Sequence, residues 1–505
     1  MTVSSIHHLY ELKKTPMIIQ LYDISTFFDK ENLADVMNEV YRLGIKDKHY
    51  RLLFKLNEKR VIKVKTPVGY TDEEEVQEGV GQGGLDSGII SASGLDSGVN
   101  DFFQSSPWEA SFGRIRLQPA LYQDDIGRCC SSLLAAKAGN SLLSTLINSK
   151  NLSFNADKSV CLVIGKGKKT IEMREELKTR PLLLCNKVMK NVPQYSYLGD
   201  ELHEDGAAAS AEASIRKRFG KVKHTIFEIK CVLEDFRINS VGGAAAGLEI
   251  WRRAVIPYLY FSSELWIDIS KKSLDKLMEL HLLFYRCLLA SPRTSPVPAL
   301  FWFLGEPLPV NIVKERKLLF LFHVANLSED SLARRLYEEE RTLNIEGFVK
   351  ETRTILAEIN VRESLLKCMT RTQWSNLIKR KMKECNRNQI LTMCKKYRKI
   401  DYFDLKDEDY EMKEFFSSMS LSQSRTLYAI KTNTIQAKMN EMSNPKFCEE
   451  MYRCNDCTEL CSTEHFKYCL KYAYLRNGVD WSDNIQTADY FFKVLKLREA
   501  SKEVI

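Results

Sequence analysis

A chain of 505 residues, 44% of them apolar, can hold two to four domains with buried cores. The charge balance of +8 and a pI near 8.6 are mildly basic, which suits a nucleic-acid partner without requiring one. No apolar run approaches the roughly 18 residues of a membrane span, and 14 cysteines scattered behind a polar start lack the spacing of a secreted framework, so an intracellular protein of the cytoplasm or nucleus is expected.

In chain order, the run Met17-Ile18-Ile19-Gln20 opens a strand that ends on Asp23 and leads into a helix past Phe27 and Phe28. Leu33, Val36, Met37, Val40 and Tyr41 keep helical spacing up to Gly44, a C-cap residue. A second helix covers Asp47 to Asn57. Arg60 to Lys65 reads as a strand with Pro67 and Gly69 in its turn, and Asp72-Glu73-Glu74-Glu75 as an acidic loop, a solvated hairpin end. Gly79-Val80-Gly81-Gln82-Gly83-Gly84 is glycine-rich. Gly84-Leu85-Asp86-Ser87-Gly88 then recurs as Gly94-Leu95-Asp96-Ser97-Gly98, an offset too short for a solenoid and read as coincidence or a small local duplication. A helix of small residues is expected from Ser87 to Phe103, able to approach another backbone or a nucleic acid closely.

Alternating apolar residues from Ile115 to Tyr122, followed by Ile126-Gly127-Arg128-Cys129-Cys130, describe a β-hairpin with Asp124 and Asp125 at its tip. Ser131 or Ser132 caps an amphipathic helix carrying Leu133, Leu134, Leu142, Leu143, Leu146 and Ile147. Beyond Gly199 the chain turns helical and basic, with Arg216, Lys217, Arg218, Lys221, Lys223, Lys230 and Arg237 close together. From about 245 to 445 it is almost entirely helical in pattern, with Trp251, Trp266 and Trp302 supplying core, and Leu318 to Phe322 forming another core segment.

Two carboxylates at a turn, backed by an apolar sheet, can hold Mg²⁺ and leave positions open for phosphate oxygens. Alone, an Asp-Asp pair is most often a solvated turn. The order of parts adds to it: Asp23 after a strand, the glycine turn with Gln82 and Gly83, the Tyr122-Gln123-Asp124-Asp125 tip, Leu152-Ser153-Phe154-Asn155-Ala156-Asp157-Lys158-Ser159, and Tyr197-Leu198-Gly199. This succession, over about residues 17–205 and more loosely to about 330, resembles the palm of a reverse transcriptase of the non-LTR (LINE-type) retrotransposon kind, truncated at its N-terminus with the fingers largely missing.

The resemblance implies an α+β fold: a reverse-transcriptase-like palm, an antiparallel sheet with packed helices, over 1–205; a helical thumb over 206–330; a helical C-terminal region over 331–445; a small zinc knuckle over 446–480; and a tail over 481–505. It implies RNA-directed DNA polymerase activity with RNA template, DNA primer and dNTPs as partners, no membrane, and protein partners unspecified. Asp23 and Asp124 would be the principal ligands of two Mg²⁺ ions, with Asp125 a weaker ligand or a primer-end contact. Phe28 would exclude a ribose 2′-hydroxyl, Gln82 and Gly83 would meet the nucleotide, and Lys158 would neutralise departing pyrophosphate. Tyr197, Leu198 and Gly199 would form the primer grip, and Arg216, Lys217, Arg218, Lys221 and Lys223 would hold nucleic-acid phosphates.

Cys454, Cys457, His465 and Cys469, spaced C-x2-C-x7-H-x3-C, supply four N/S ligands of the kind a structural Zn²⁺ site uses, with Cys461 able to substitute for one of them. Non-LTR elements carry a similar C-terminal motif. Departures from the family's pattern, among them Gly84-Leu85-Asp86 after Gly83 and Phe27 before Phe28, leave an alternative: an inactive retroelement remnant that binds RNA or DNA through its basic helix and knuckle.

Overall fold

A computed structural model describes residues 16–76, 78–81, 84, 87–106, 109–235, 241–396, 415–432, 434 and 463–502. The chain gathers into two compact units. One contains the residues up to Ala213 with Leu265–Asp268 and Val324–Glu351; the other contains Ser214–Glu264, Ile269–His323 and the residues from Thr352 onward. This division is coarser than the one drawn from the sequence.

The first unit is built on strand β1 (Met17–Asp23), followed by helices α1 (Leu33–Arg42), α2 (Asp47–Asn57) and α3 (Ser87–Ser105). Strands β2 (Ala120–Tyr122) and β3 (Asp125–Cys130) form a hairpin, and α4 (Leu133–Ser149), β4 (Val160–Ile164), α5 (Lys168–Thr179) and β5 (Lys190–Asn191) follow. A second hairpin, β6 (Gln194–Tyr197) and β7 (Asp200–His203), leads into α6 (Ala207–Asp235). The main sheet has the order β5-β4-β1-β3-β2, antiparallel except for the β4–β5 pair.

Both faces of β1 are covered, which is why its sequence is nearly all apolar. Met17, Ile19 and Leu21 point with Leu162 and Ile164 into a core closed by Phe112, Leu117, Leu202 and Leu336. Ile18 and Tyr22 point the other way with Val163, Ile126 and Cys130, under Leu95, Val99 and Phe102 of α3 and Ala136, Leu143 and Ile147 of α4. Each such side chain contributes on the order of 1.5–3 kcal/mol by leaving water.

Gln20, in register with Arg128, breaks the apolar pattern in the middle of the sheet. Arg128 donates through Nε to Glu109 Oε1 (2.7 Å), through Nη1 to Gln20 Oε1 (2.8 Å) and through Nη2 to the Ala135 carbonyl (3.0 Å). Asn140 Oδ1 accepts from Gln20 Nε2 and from the Tyr22 hydroxyl, both at 2.8 Å. A buried guanidinium is tolerable only when its donors are matched in this way.

Several sequence expectations hold in detail. The α1 helix ends at Arg42 with Gly44 at φ 98°, α2 spans Asp47–Asn57, and Ser132 Oγ caps α4 by accepting from Ala135 N at 3.1 Å. The small-residue helix runs Ser87–Ser105. Its repeated glycines have distinct neighbours: a Cβ on Gly88 would meet the Gln123 amide, one on Gly94 would meet Val36 and Glu31, and one on Gly98 would meet Leu146. Each of these three glycines leaves room for a neighbouring side chain.

Two expectations are corrected. The run from Ile115 to Tyr122 is not one strand: Ile115–Arg116 pairs with Ser111–Phe112, and only Ala120–Tyr122 joins the main sheet. Pro119 lies in the break, and a proline has no N–H to give a ladder. The strand expected over Arg60 to Lys65 is broken in two: Arg60–Ile62 pairs with Glu74–Val76, whose acidic residues are the solvated hairpin end expected, and Lys65–Thr66 pairs with Gly69–Tyr70.

The second unit is helical among the described residues. Trp251 stacks on Phe284 with centroids 4.4 Å apart. A π-turn at Trp251–Val255 precedes Pro257, whose missing N–H denies the helix a bond there. His281 lies between the hydroxyls of Tyr260 and Tyr285, each at 2.9 Å, and Tyr285 donates to Glu306 Oε2 at 3.1 Å, while Arg252 Nε donates to Glu306 Oε1 at 2.7 Å. No helix among the described residues is long and apolar enough to cross a membrane.

Candidate active site

The face of β1 that carries Met17, Ile19 and Leu21 ends on Asp23. The antiparallel register sets Asp23 directly opposite Asp125 of the neighbouring β3. Residues opposite one another on adjacent strands share a face, with Cβ atoms about 4.5–5.5 Å apart. Asp124 occupies the two-residue turn before Asp125, opened by Gln123 at φ 56°. Three carboxylates from two distant stretches of sequence thus gather at one end of the sheet. The sequence ranks Asp124 above Asp125 as the partner of Asp23. The register instead gives the shared face to Asp125, because Asp124 sits in the turn and β3 starts one residue later.

The charges act on one another. Burial, and then the Asp124 carboxylate, hold Asp23 above the ordinary aspartate range, against the pull of Lys158 and Asn155. Burial, then Asp124 and Asp23, raise Asp125 likewise. Lys158 Nζ stands 3.9 Å from Asp23 Oδ2, which brings together two residues that the sequence places 135 positions apart. The Asn155 N–H donates to the Asp23 carbonyl (2.8 Å), and Ser159 Oγ accepts from the Asp23 N–H (3.1 Å). Sequence reasoning assigns no role to Asn155 and Ser159; adjacency to Lys158 is their only signal.

The β6–β7 hairpin lies near the same carboxylates. Its turn, Leu198 at φ 49° and Gly199 at φ 81°, is left-handed at both positions, the backbone that closes a two-residue hairpin. Leu198 is exposed at the tip, while Tyr197 packs on the Leu21 face of the sheet. A Cβ on Gly127 would come within 3.0 Å of the Tyr197 hydroxyl, which is buried with no hydrogen-bond partner among the described residues. Burial and the nearby Asp125 push the hydroxyls of both Tyr195 and Tyr197 above the usual tyrosine range. Tyr195 escapes the sequence reading; strand alternation with Tyr197 is the available clue.

Phe28 is partly buried against the core that encloses Phe27. Its carbonyl accepts from the Val80 N–H at 2.6 Å, and the Glu31 carbonyl accepts from the Gly79 N–H at 2.8 Å. The glycine turn is therefore strapped beside Phe28. Gly79 takes φ 87°, and a Cβ there would lie 2.5 Å from the Phe28 carbonyl. Gln82 and Gly83 lie outside the described residues.

Of the basic cluster on α6, Arg216, Lys217, Lys221 and Lys223 are exposed, and Lys221 Nζ sits 5.0 Å from the Tyr258 ring centroid. Arg218 corrects the expectation. It is 3% exposed, donates to the Phe261 carbonyl at 2.8 Å and lies over the Phe261 ring, so it serves packing. His465 and Cys469 are buried one turn apart, with the Cys469 N–H bonded to the His465 carbonyl at 2.8 Å; Cys454, Cys457 and Cys461 lie outside the described residues.

Among the described residues no three His, Cys, Asp or Glu side chains converge tightly enough to hold a metal ion by themselves. The donors at Asp23 and Asp125 nevertheless suit Mg²⁺ in kind: hard oxygens, partly buried, crowded with like charge. Mg²⁺ is commonly bound through one or two carboxylates, with water and phosphate oxygens completing the shell.

No protein-family model matches the chain, and no curated protein matches it. Among solved structures it is similar to telomerase from Candida albicans in complex with a TWJ fragment of telomeric RNA, at 11% identity over 67% of this chain and 50% of that one, with a TM-score of 0.31. It is also similar to telomerase from Candida tropicalis with the same kind of fragment (13%, 67% and 51%, 0.28) and to the apo form from that organism (11%, 74% and 54%, 0.29). The chain spans about half the length of these telomerase structures.

Proposed function

We propose that this chain is the palm and adjoining helical part of an RNA-directed DNA polymerase of the non-LTR retrotransposon kind, adding deoxynucleotides to a primer 3′-hydroxyl on an RNA template. The observation that carries this reading is the Asp23–Asp125 register, with Asp124 in the adjoining turn. Asp23 and Asp125 would hold Mg²⁺, with Asp124 beside them. When bound, the metal supplies charge neutralisation on the triphosphate and a more acidic attacking hydroxyl.

The chain's own residues would do the rest. Phe28 and the strapped glycine turn bound the nucleotide's sugar side, where a ring under C2′ leaves no room for another oxygen. Lys158, already beside Asp23, holds a proton near the departing pyrophosphate. The Tyr197-Leu198-Gly199 turn presents an apolar tip to the primer, and the exposed lysines of α6 bind phosphates without choosing sequence. Cys454, Cys457, His465 and Cys469 would hold a structural Zn²⁺ in a knuckle that touches nucleic acid.

Primer extension on an RNA template, with Asp125→Asn as control, is the test. Incorporation that disappears in the variant supports the proposal. Absent incorporation together with tight, salt-sensitive RNA binding would leave only the nucleic-acid-binding remnant.

A further inference from the structure

Glu31 is an anomaly next to the nucleotide-side turn. The residue is 3% exposed, and one of its carboxyl oxygens, Oε2, has no hydrogen-bond partner among the described residues. Its backbone carbonyl holds the Gly79 N–H, three residues after the Phe28 carbonyl that holds Val80. Its side chain faces α3: a Cβ on Gly94 would lie 3.3 Å from Glu31 Oε1, so the glycine leaves the space the carboxyl fills.

Among the described residues no cation offsets the acid. Burial raises it to about 7, and Ser91 is the neighbour that favours the ionised form. The charged groups on the surrounding elements are otherwise engaged or in water. On α1, Glu39 is paired with Arg42 (2.9 Å) and Asp35 is exposed. On α3, Asp96 and Asp101 are exposed, as are Asp29, Lys30 and Glu78 in the adjoining turns. Arg60 donates through Nη2 to the Gly79 carbonyl at 2.5 Å, on the turn rather than the acid.

We propose that Glu31 is a positioning residue whose neutral carboxylic acid keeps the Gly79–Val80 turn strapped to the Phe28 segment, and whose ionisation releases it. An unpaired carboxylate in an apolar seam between α1 and α3 must find water, and the shortest way is to withdraw from Gly94 and take the local backbone with it. The consequence for nucleotide binding rests on the polymerase reading; the loosening of the turn does not.

The sign follows from linkage. The folded chain holds the proton more tightly than the unfolded one, so the stabilising contribution is full below the ordinary value of 4.5 and is lost as pH rises through about 7. Hydrogen exchange of the full-length chain, followed on peptides containing Gly79 and Val80 and corrected for intrinsic rates, reads this directly. Opening of the turn rises by up to about tenfold per pH unit between 4.5 and 7 in the wild type, levels off above 7, and stays flat throughout in Glu31→Gln. A flat wild type, or an equal rise in the variant, overturns the proposal.

Ser91→Ala removes the neighbour that favours ionisation and moves the transition to higher pH. If Glu31→Gln does not fold, an unchanged midpoint in Ser91→Ala overturns the proposal instead. Primer extension run alongside tells the failure of one reading from the failure of the other. A wild type without Asp125-dependent incorporation ends the polymerase reading and leaves the exchange result to decide on Glu31. With incorporation, the KM for dNTP climbs as pH rises toward 7 and levels off above it in the wild type alone, while kcat follows the same course in both.

Discussion

At Asp125 the fold tolerates a carboxylate it would be more stable without. Burial and two neighbouring charges hold this carboxyl above the ordinary aspartate range, so whatever it contributes to stability is present below the ordinary value of 3.8 and lost as pH rises through the folded one. Asp125→Asn should therefore melt higher than the wild type at pH 7 without metal, and yet incorporate no nucleotide. Added Mg²⁺ should raise the melting temperature of the wild type and leave the variant unmoved. Equal shifts in both would show that the cation binds elsewhere. The convergence of Asp23, Asp124 and Lys158 was legible because their motifs keep the side chain and the spacing together. That Asp125 rather than Asp124 faces Asp23 was not, since it depends on whether the strand begins at 124 or 125, and one residue of register exchanges the faces.

Among elements, α4 and β3 are locked by the fit of Arg128 into the notch at Gly139. A Cβ on Gly139 would lie 1.8 Å from Arg128 Nη1, a side chain fixed by Glu109, Gln20 and Ala135 and unable to swing into water. Gly139→Ala, harmless on an exposed helix, should cost about 3 kcal/mol or more here by breaking a buried pair, measured as a lower urea midpoint with unchanged slope. Helix limits were legible because caps are local: Gly44 and Ser132 announce them. The Gln20–Arg128–Asn140 network was not, since a glutamine or arginine within a strand pattern reads as solvent-facing until the covering helices are known. The helices around Trp251 hide a polar group in the same way. His281 is fully buried and held near 3, neutral between two tyrosine hydroxyls. The unfolded chain takes up the proton below about 6.5, so stability is level above that pH and falls as pH drops from there toward 3. The loss is on the order of 1.4 kcal/mol per pH unit within that window. Comparing urea midpoints of the wild type and His281→Gln at pH 7 and pH 5 isolates the effect; parallel losses in both would assign it to other groups.

At the scale of the molecule, the order of motifs located the sheet and its acidic end but not what closes its second face. Leu336, far beyond the sheet's last strand and in no recognisable motif, packs with Ile19 and Leu162. Such a partner cannot be read from periodicity, which records that a face is apolar and not what covers it. Periodicity does better on α6, where helical geometry divides the cations: Arg216, Lys217, Lys221 and Lys223 reach solvent, while Arg218 turns inward with Val222 and Ile226. Only the outward set can exchange counterions for phosphates. Replacing Lys217, Lys221 and Lys223 by glutamine should flatten the slope of log K against log salt for single-stranded RNA by about 2, at roughly 0.7 for each phosphate no longer neutralised. Arg218→Gln should leave that slope alone and lower the melting temperature, because it deprives the Phe261 carbonyl of its donor and the ring of its cation. Filter binding over a salt series, beside a thermal melt, separates the two. An unchanged slope in the triple variant would remove α6 from the nucleic-acid surface, whatever the carboxylates do.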